Sequence, residues 1–426
     1  MMLLERLRIR KAYIFNLAIY FILLCYSYYF YFYIYQDYTY QVGYSLSLNY
    51  FKLIEAIVFT VSLGALYLYY DISDSIYLTY SFILYVLLFV PFTVFYWMSN
   101  NYRQYFYMVV TAFLILELFF IAYKYFFSTK REKNTRFNYE YILLFVFAVF
   151  LIVNIFAYLK YGHSLYYLIN LDEVYNIRYE SREKIPTYFK YILQWSALVV
   201  IPTSIAYITK IKKYYLLIIP LTVQLLIFTI NGSKFYLFSL LINLFVFLIY
   251  SGGLMNFMLP ALNLFITFVL LWKNNFVMSV GIRRAFFVPQ SLSFVYYEFF
   301  KSHPKLYLSS SFLKRFVENI YSLDSPFIIS RYVYHEPKMS ANVNFIANAY
   351  SHLGFIGIVL FAIILALILL AFEYFSENNV NRKFVVLISF SSFLALVNSS
   401  LLTTLKTHGL LIAMIMSVLF LKSFRD

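Results

Sequence analysis

Two adjacent arginines, Arg283 and Arg284, are the most conspicuous chemical feature of the sequence. They lie in the stretch SVGIRRAFFVPQSLSFVYYEFF, in a chain where 12% of the residues are charged and 63% are hydrophobic. A planar guanidinium group binds phosphate oxygens in pairs, so this basic and aromatic stretch suits a ligand that is anionic at a membrane surface and apolar below it. A lipid-linked phosphate or pyrophosphate meets both requirements. Anchoring of a helix end at anionic headgroups explains the two arginines equally well.

The other ionisable residues are weaker candidates for chemistry. Arg178 has a structural alternative, which is pairing with Glu180 or Glu183 in the same segment. Lys234 follows a tight Asn-Gly turn, where a lysine also reaches the membrane interface by snorkelling. Glu55 falls inside an apolar run, where it suits either a functional role or a hydrogen bond to a neighbouring helix. The five histidines have no metal-ligand spacing and no nucleotide-binding loop occurs, so neither a metal site nor a cofactor is predicted.

The composition of the chain determines which elements must position these residues. A mean hydropathy of +0.74, with 49 Phe and 47 Tyr among 426 residues, exceeds what the core of a soluble domain buries. The chain is therefore predicted to be an integral membrane protein. Its apolar runs lack the alternation of barrel strands, so we expect an all-α, polytopic fold in one membrane domain over residues 1–426.

Apolar runs separated by polar breaks predict about twelve transmembrane helices. Their expected ranges are 12–35, 51–70, 76–98, 105–127, 139–160, 191–208, 214–230, 235–250, 257–272, 353–373, 384–402 and 407–421. The basic residues before the first run resemble the start of a signal peptide. That run is too long for one and no small-x-small cleavage site follows, so we expect an uncleaved first helix.

The distribution of basic residues predicts the orientation of the helices. With a cytoplasmic N-terminus, the inner segments hold 15 Lys and Arg residues, whereas the short outer segments hold three. The positive-inside rule then places both termini in the cytoplasm. Two larger outer loops, 161–190 and 273–352, are expected to cover the active site. The second carries nine basic and four acidic residues, and it includes Arg283 and Arg284.

The loop 273–352 is predicted to be largely helical. After Pro289, four apolar residues follow the spacing of an amphipathic helix lying on the bilayer, namely Leu292, Val295, Tyr296 and Phe299. The stretch SPFIISRYVY predicts a second helix, with Ser325 as its N-cap and Pro326 in its first turn. From Asn342 onwards no helix breaker interrupts the sequence up to the tenth span, so the start of that helix should face the outer compartment.

In combination, these segments resemble a known family. About twelve spans, a medium outer loop with YNIRYESRE, an NGSK turn, the GIRRAFFVPQSLSFVYYEFF stretch and SPFIISRYVYHEPKMSANVNFIANAYSHLGFIG are similar to the O-antigen and capsule repeat-unit polymerases of the Wzy type. The resemblance implies a GT-C-like membrane glycosyltransferase of the bacterial inner membrane. Such an enzyme, which needs no metal, transfers a growing glycan from undecaprenyl pyrophosphate onto a new lipid-linked repeat unit. Implied partners are the bilayer, a chain-length regulator and a flippase; no nucleic acid is expected.

The resemblance also implies roles for particular residues. Arg283 and Arg284 would hold the pyrophosphate, because cationic donors stabilise charge that develops on a leaving oxygen. Supporting substrate contacts would come from Arg178, Lys234 and Arg331, and amide donors from the helix start at Asn342 and Asn344. Candidates for the base that deprotonates the acceptor hydroxyl are Glu298, His335 and His352.

Two alternative functions remain open at the level of sequence. O-antigen ligases share the architecture and carry a histidine before a pattern that Asn344, Gly354 and Gly357 match here, but Val343 occupies the histidine position. This departure favours a polymerase over a ligase or another GT-C transferase. A lipid-linked oligosaccharide flippase would also have about twelve helices, but two similar halves and a charged central cavity would be expected of it.

Overall fold

A computed structural model of the chain describes residues 2–35, 44–126, 139–163, 181, 183–250, 254–311, 313, 316–318, 320–335, 339–376 and 379–424. Within these ranges every regular element is a helix. The all-α class is therefore confirmed, and the protein is a polytopic membrane protein by the length and composition of its helices.

Eighteen α-helices make up the described part of the chain. They are α1 (Met2–Tyr35), α2 (Tyr50–Tyr69), α3 (Ile76–Leu84), α4 (Val90–Met98), α5 (Arg103–Phe126), α6 (Glu140–Tyr161), α7 (Thr187–Trp195), α8 (Ile201–Lys210), α9 (Ile218–Asn231), α10 (Lys234–Tyr250), α11 (Leu254–Trp272), α12 (Asn275–Met278), α13 (Val288–Ser302), α14 (Ser325–Tyr334), α15 (Phe345–Phe375), α16 (Asn379–Leu394), α17 (Leu401–Lys406) and α18 (Leu410–Ser423).

Nine helical stretches in the described part of the chain are long and apolar enough to cross a membrane. They are Arg10–Phe32, Tyr50–Tyr69, Ile76–Met98, Arg103–Phe126, Glu140–Tyr161, Thr187–Lys210, Tyr214–Asn231, Phe345–Phe375 and Leu401–Ser423. These nine correspond to nine of the twelve predicted spans.

The other three predicted spans, 235–250, 257–272 and 384–402, correspond to helices that do not meet the same criterion. Helices α10 and α11 contain shorter apolar stretches, Phe238–Leu248 and Phe257–Trp272. Helix α16 ends at Leu394, and a 3-10 turn over Ala395–Val397 follows it. The count of twelve therefore stays a prediction.

The contacts of the chain divide it into two compact units. Unit 1 comprises residues 1–128, 252–373 and 396–402, and unit 2 comprises residues 129–251, 374–395 and 403–426. In unit 1, α1 packs along α11 and α2 packs along α4; in unit 2, α10 packs on α16, and α6 packs on α9 and α18. The prediction of one membrane domain over residues 1–426 stays a prediction.

Three helices widen into π-helical segments, and each segment is followed by a proline. The segments are Tyr85–Phe89, Ser196–Val200 and Ser279–Phe287, and the prolines two residues after them are Pro91, Pro202 and Pro289. Proline cannot donate a backbone hydrogen bond, and its ring collides with the carbonyl one turn earlier. Local widening of the helix relieves this conflict. The third π segment is the one that carries Arg283 and Arg284.

Helix α13 is present as predicted after Pro289, but it is not an amphipathic helix with one open face. All of its residues from Pro289 to Tyr297 are buried, and only Glu298, Lys301 and Ser302 near its end are exposed. Phe294, which is not one of the four residues of the predicted apolar face, stacks on Phe92 with ring centroids 4.8 Å apart. The expectation of a surface helix is wrong because aromatic partners in α4 and α5 cover its remaining faces.

Helix boundaries around the predicted site differ from the sequence pattern by one to three residues. Ser325 is the first residue of α14, and Asp324 occupies the N-cap position. Helix α15 begins at Phe345, with Asn344 before it, and it contains a break at Leu353 and Gly354. The Asn-Gly turn before Lys234 is confirmed, since Gly232 ends α9 in the left-handed conformation at φ 65°.

Candidate functional site

A polar cleft of about 670 Å³ lies in unit 1. Its lining residues come from three separate parts of the chain and are Tyr44, Ser45, Lys52, Asn100, Asn101, Tyr102, Arg103 and Glu298. We refer to these eight residues as the Lys52 cleft. The segments that supply them, around residues 36–50, 99–104 and 273–352, were all predicted from charge distribution to face the same side of the membrane.

Backbone and amide hydrogen bonds hold two of these segments together. Ser47 N donates to Met98 O over 2.9 Å, and Asn49 Nδ2 donates to Asn100 Oδ1 over 3.2 Å. Asn49 Oδ1 also accepts from the backbone N–H groups of Phe51 and Lys52, so Asn49 caps α2. The cap determines where α2 begins and therefore places Lys52 at the wall of the cleft.

Lys52 is a buried cation, with 9% of its surface exposed. Its Nζ donates to the backbone carbonyl oxygen of Asn101 and lies 5.1 Å from the centroid of the Tyr96 ring. A cation in the first turn of a helix opposes the helix dipole. The carbonyl and the aromatic ring offset part of that cost.

Arg103 is balanced by Glu55. Its Nε lies 3.0 Å from one carboxylate oxygen of Glu55 and 3.2 Å from the other. The same carboxylate accepts hydrogen bonds from Tyr96 Oη over 2.6 Å and from Tyr107 Oη over 3.0 Å. The structure thus supports hydrogen bonding to neighbouring helices as the role of Glu55, which was one of the two interpretations of this residue.

Glu298 is the exposed carboxylate of the cleft. It lies near Tyr102, where burial and then the charge of Glu298 raise the pKa of the Tyr102 hydroxyl. Tyr297 is the residue before Glu298. Its Oη donates a hydrogen bond to Gln104 Oε1 over 2.9 Å, which fixes the end of α13 against α5. Of the three residues proposed as a general base, Glu298 alone lines this cleft.

The two adjacent arginines have different environments. Arg283 is buried, with 8% of its surface exposed, and its Nε donates to Ser279 Oγ over 3.1 Å. Arg284 is exposed. A headgroup anchor therefore describes Arg284 better than Arg283, since a buried guanidinium does not reach a lipid surface.

Arg283 lies near one wall of the Lys52 cleft. Burial raises the pKa of Tyr44 well above its ordinary value, and the positive charge of Arg283 opposes that shift. The pKa of Tyr334 in α14 is likewise raised by burial and lowered by Arg283. The guanidinium therefore influences the cleft through Tyr44, which lines it, and Arg283 is itself absent from the lining.

The pattern shared with ligases has a structural explanation in this chain. Asn344 is 1% exposed, and its Oδ1 accepts from the N–H groups of Ile346 and Ala347, so it caps α15. Ten residues later, Gly354 adopts φ 64° at the break in the helix. A Cβ at Gly357 would lie 2.2 Å from the carbonyl oxygen of Ala349. Each of the three residues therefore has a structural role: Asn344 caps the helix, Gly354 allows the break, and Gly357 allows close approach to the Ala349 carbonyl.

His352 is held in the same region and is 1% exposed. Its Nδ1 accepts from the backbone N–H of Leu308 over 3.2 Å, and Tyr307 N donates to the carbonyl of His352 over 3.0 Å. These bonds fasten the segment after α13 to the broken helix α15. The arrangement describes a structural histidine, away from the lining of the cleft.

The remaining predicted site residues are dispersed. Arg331, His335 and Asn342 are exposed and do not line the cleft. His335 ends α14 in the left-handed conformation, at φ 56°. Arg178 and the side chain of Lys234 lie outside the described part of the chain. Of the eight predicted residues whose side chains the structure describes, Glu298 is thus the one that lines the Lys52 cleft.

Sequence reasoning missed four charged or aromatic residues of the cleft, namely Tyr44, Lys52, Tyr102 and Arg103. Lys52 was part of a predicted span, and Arg103 and Tyr102 were part of a short connecting segment. One feature of the sequence could have indicated Arg103. It is one of the three basic residues in the short outer segments, where the positive-inside rule predicts few basic residues.

Comparisons of the chain with protein-family models, with curated proteins and with solved structures find no match.

Proposed function

We propose that this protein polymerises undecaprenyl-pyrophosphate-linked oligosaccharide repeat units at the outer face of the bacterial inner membrane. The growing glycan is transferred from its pyrophosphate carrier to the free sugar end of a new lipid-linked unit. This makes the protein a glycosyltransferase with a GT-C-like architecture, and its product an O-antigen or a capsular polysaccharide. The proposal rests on the family resemblance of the sequence together with the chemistry of the Lys52 cleft.

The observation that carries the proposal is the presence of Glu298 and Lys52 in one cleft. Glycosyl transfer needs a base for the acceptor hydroxyl and positive charge for the departing pyrophosphate. An exposed carboxylate and a buried amine meet these two needs at one place. Tyr102, with 40% of its surface exposed, adds an aromatic face against which a sugar ring can pack.

The cleft suits a glycan better than a purely anionic ligand. The positive charge of Arg103 is offset by its ion pair with Glu55. The remaining formal charges of the lining, on Lys52 and Glu298, are opposite in sign, so the net charge of the cleft is close to zero. Asn100 and Asn101 contribute amide and carbonyl groups of the kind that bind hydroxyls. Such a mixture supports a ligand with a hydroxyl-rich part and one charged part.

Ligase chemistry has less support. The residues that match the ligase pattern, Asn344, Gly354 and Gly357, are accounted for by the start and the break of α15. Val343, at the position of the ligase histidine, is buried. No polar group at that position is therefore available for catalysis.

A reconstituted reaction tests the proposal. Purified protein in nanodiscs receives undecaprenyl-pyrophosphate-linked repeat units, with no nucleotide sugar and no divalent metal. We expect a ladder of lipid-linked oligomers in gel or mass-spectrometric analysis. If folded protein yields no ladder but transfers glycan when a lipid A core acceptor is added, the protein is a ligase and the proposal is wrong.

A further inference from the structure

Lys52 uses few of its hydrogen-bonding groups within the protein. A lysine ammonium has three N–H donors, and among the described residues the amine of Lys52 contacts the Asn101 carbonyl and the face of Tyr96. Two donors are left for a ligand. Because Lys52 lines the cleft, a ligand in the cleft can reach them.

The positive charge of Lys52 also has no dedicated carboxylate within the described structure. Glu55 lies one turn further along α2, but its two oxygens accept from Arg103, Tyr96 and Tyr107. Glu298 lines the same cleft and forms no ion pair with Lys52. A buried charge without a carboxylate partner is costly, and an anionic ligand removes that cost.

We propose that Lys52 is a catalytic residue that binds the pyrophosphate leaving group of the donor. The proposal rests on the proposed function and names a residue that the sequence pattern did not identify. Arg103 and Glu55 act as positioning residues, since their ion pair joins the start of α5 to α2 next to Lys52 and Asn101.

In the transfer step Glu298 accepts a proton and Lys52 stabilises the leaving group. The acceptor hydroxyl oxygen forms a bond to the anomeric carbon of the donor glycan, and its proton passes to the carboxylate of Glu298. The bond between the anomeric carbon and the pyrophosphate oxygen breaks, and its electron pair remains on that oxygen. The leaving polyprenyl pyrophosphate thereby gains one negative charge, which the ammonium of Lys52 stabilises by charge-assisted hydrogen bonds.

A phospholipid headgroup is a second possible source of phosphate. The presence of Glu298 in the same cleft favours the donor pyrophosphate, because transfer needs a base beside the hydroxyl that attacks the carbon bearing the pyrophosphate. A headgroup anchor has no need of a proton acceptor beside it.

Native mass spectrometry of the purified full chain tests the binding. The ligands are undecaprenyl pyrophosphate and, as competitor, phosphatidylglycerol; the proteins are wild type, Lys52→Met and Lys273→Met. Lys273 is an exposed lysine of the predicted outer loop 273–352 and does not line the cleft. We expect Lys52→Met to weaken undecaprenyl pyrophosphate binding about tenfold or more, and Lys273→Met to leave it within about twofold.

Two binding results would overturn the proposal. One is equal affinity in wild type and Lys52→Met, and the other is displacement of undecaprenyl pyrophosphate by equimolar phosphatidylglycerol, which would indicate a headgroup site. Lys52→Arg provides a second variant in case the methionine protein does not fold. Because it retains the positive charge, it should recover part of the affinity, and no recovery in folded protein would also contradict the proposal.

The ladder assay separates this inference from the proposed function. If wild type and Lys52→Met produce the same ladder at the same rate, the protein is a polymerase and the role of Lys52 is wrong. If undecaprenyl pyrophosphate binds through Lys52 but wild type forms no ladder, the binding site stands and the polymerase function fails.

Discussion

The hydroxyl group of Ser75 donates a 2.9 Å hydrogen bond to Oε2 of Glu373, 298 residues later in the chain. The same oxygen accepts from the backbone N–H of Tyr77 over 3.1 Å. Glu373 is 6% exposed, so a buried carboxylate near the end of α15 caps the start of α3. This bond joins two helices at the end of unit 1 that was predicted to face the cytoplasm.

Replacement of this carboxylate should destabilise unit 1. In Glu373→Gln the side chain keeps its shape but loses the negative charge that interacts with the N–H groups at the start of α3. We expect a loss of about 1–2 kcal/mol in the free energy of unfolding. Fluorescence-detected size-exclusion chromatography after heating measures the shift, with the exposed Glu318→Gln as control. Equal midpoints for both variants would contradict the capping role.

The carboxylate of Glu298 should be needed for transfer but not for folding. Glu298→Gln removes the proton acceptor while its exposed position requires no repacking. General base catalysis contributes roughly 10²–10⁴-fold, so the rate of ladder formation should fall by that factor. Thermal stability should remain within about 0.5 kcal/mol of wild type. Full activity of folded Glu298→Gln would remove Glu298 from the mechanism.

The two arginines should respond differently to lysine. Arg283→Lys loses the Nε donor to Ser279 and leaves a buried ammonium, so we expect a loss of about 1–2 kcal/mol in stability together with reduced polymer length. Arg284→Lys keeps an exposed charge and should behave as wild type, which makes it a matched control. Comparison of melting midpoints and polymer gels measures both. Identical losses in the two variants would indicate that the difference in burial has no consequence.

Asn344 should act through the start of α15. Asn344→Leu removes the acceptor for Ile346 N and Ala347 N and should cost about 1–2 kcal/mol of stability. Asn344→Asp keeps an accepting oxygen and should retain most of it. A thermal-shift measurement on both proteins distinguishes capping from substrate binding: loss of ladder formation in Asn344→Leu with an unchanged midpoint would favour substrate binding.

The orientation can be tested with cysteine labelling. In a Cys25→Ser background, Ser302→Cys should react with a membrane-impermeant maleimide in spheroplasts, whereas Asp74→Cys should react only after permeabilisation. Both side chains are exposed, and they lie in segments predicted to face opposite sides. The reverse labelling pattern would place the Lys52 cleft in the cytoplasm.

The helical class and the membrane character followed from the sequence alone. Inside lipid every backbone polar group must be hydrogen-bonded within the protein, and a long apolar run without the alternation of a barrel strand meets this requirement as a helix. Local signals also predicted α13 after Pro289 and the Asn-Gly turn before Lys234. These features depend on neighbouring residues, and a single sequence contains that information.

The span count and the environment of α13 could not be derived in the same way. Helix α10 has 17 residues and a composition similar to that of the longer apolar helices, so the number of spans depends on a few residues at helix ends. The spacing in α13 predicted one apolar face, but the polar residues Gln290, Ser291 and Ser293 are buried as well. Ser293 shows why: its hydroxyl shares a 2.7 Å hydrogen bond with Tyr105, which lies in a distant segment.

The Lys52 cleft itself was decided only by the tertiary structure. Its lining joins the capped start of α2, the turn before α5 and the end of α13, and none of these segments predicts the other two. The sequence identified Glu298 as one candidate among three bases and Lys52 as part of an apolar span. Whether a charged residue forms an ion pair or can contact a ligand depends on the partners that folding brings next to it. Here Glu55 forms an ion pair with Arg103, and Lys52 lines the cleft.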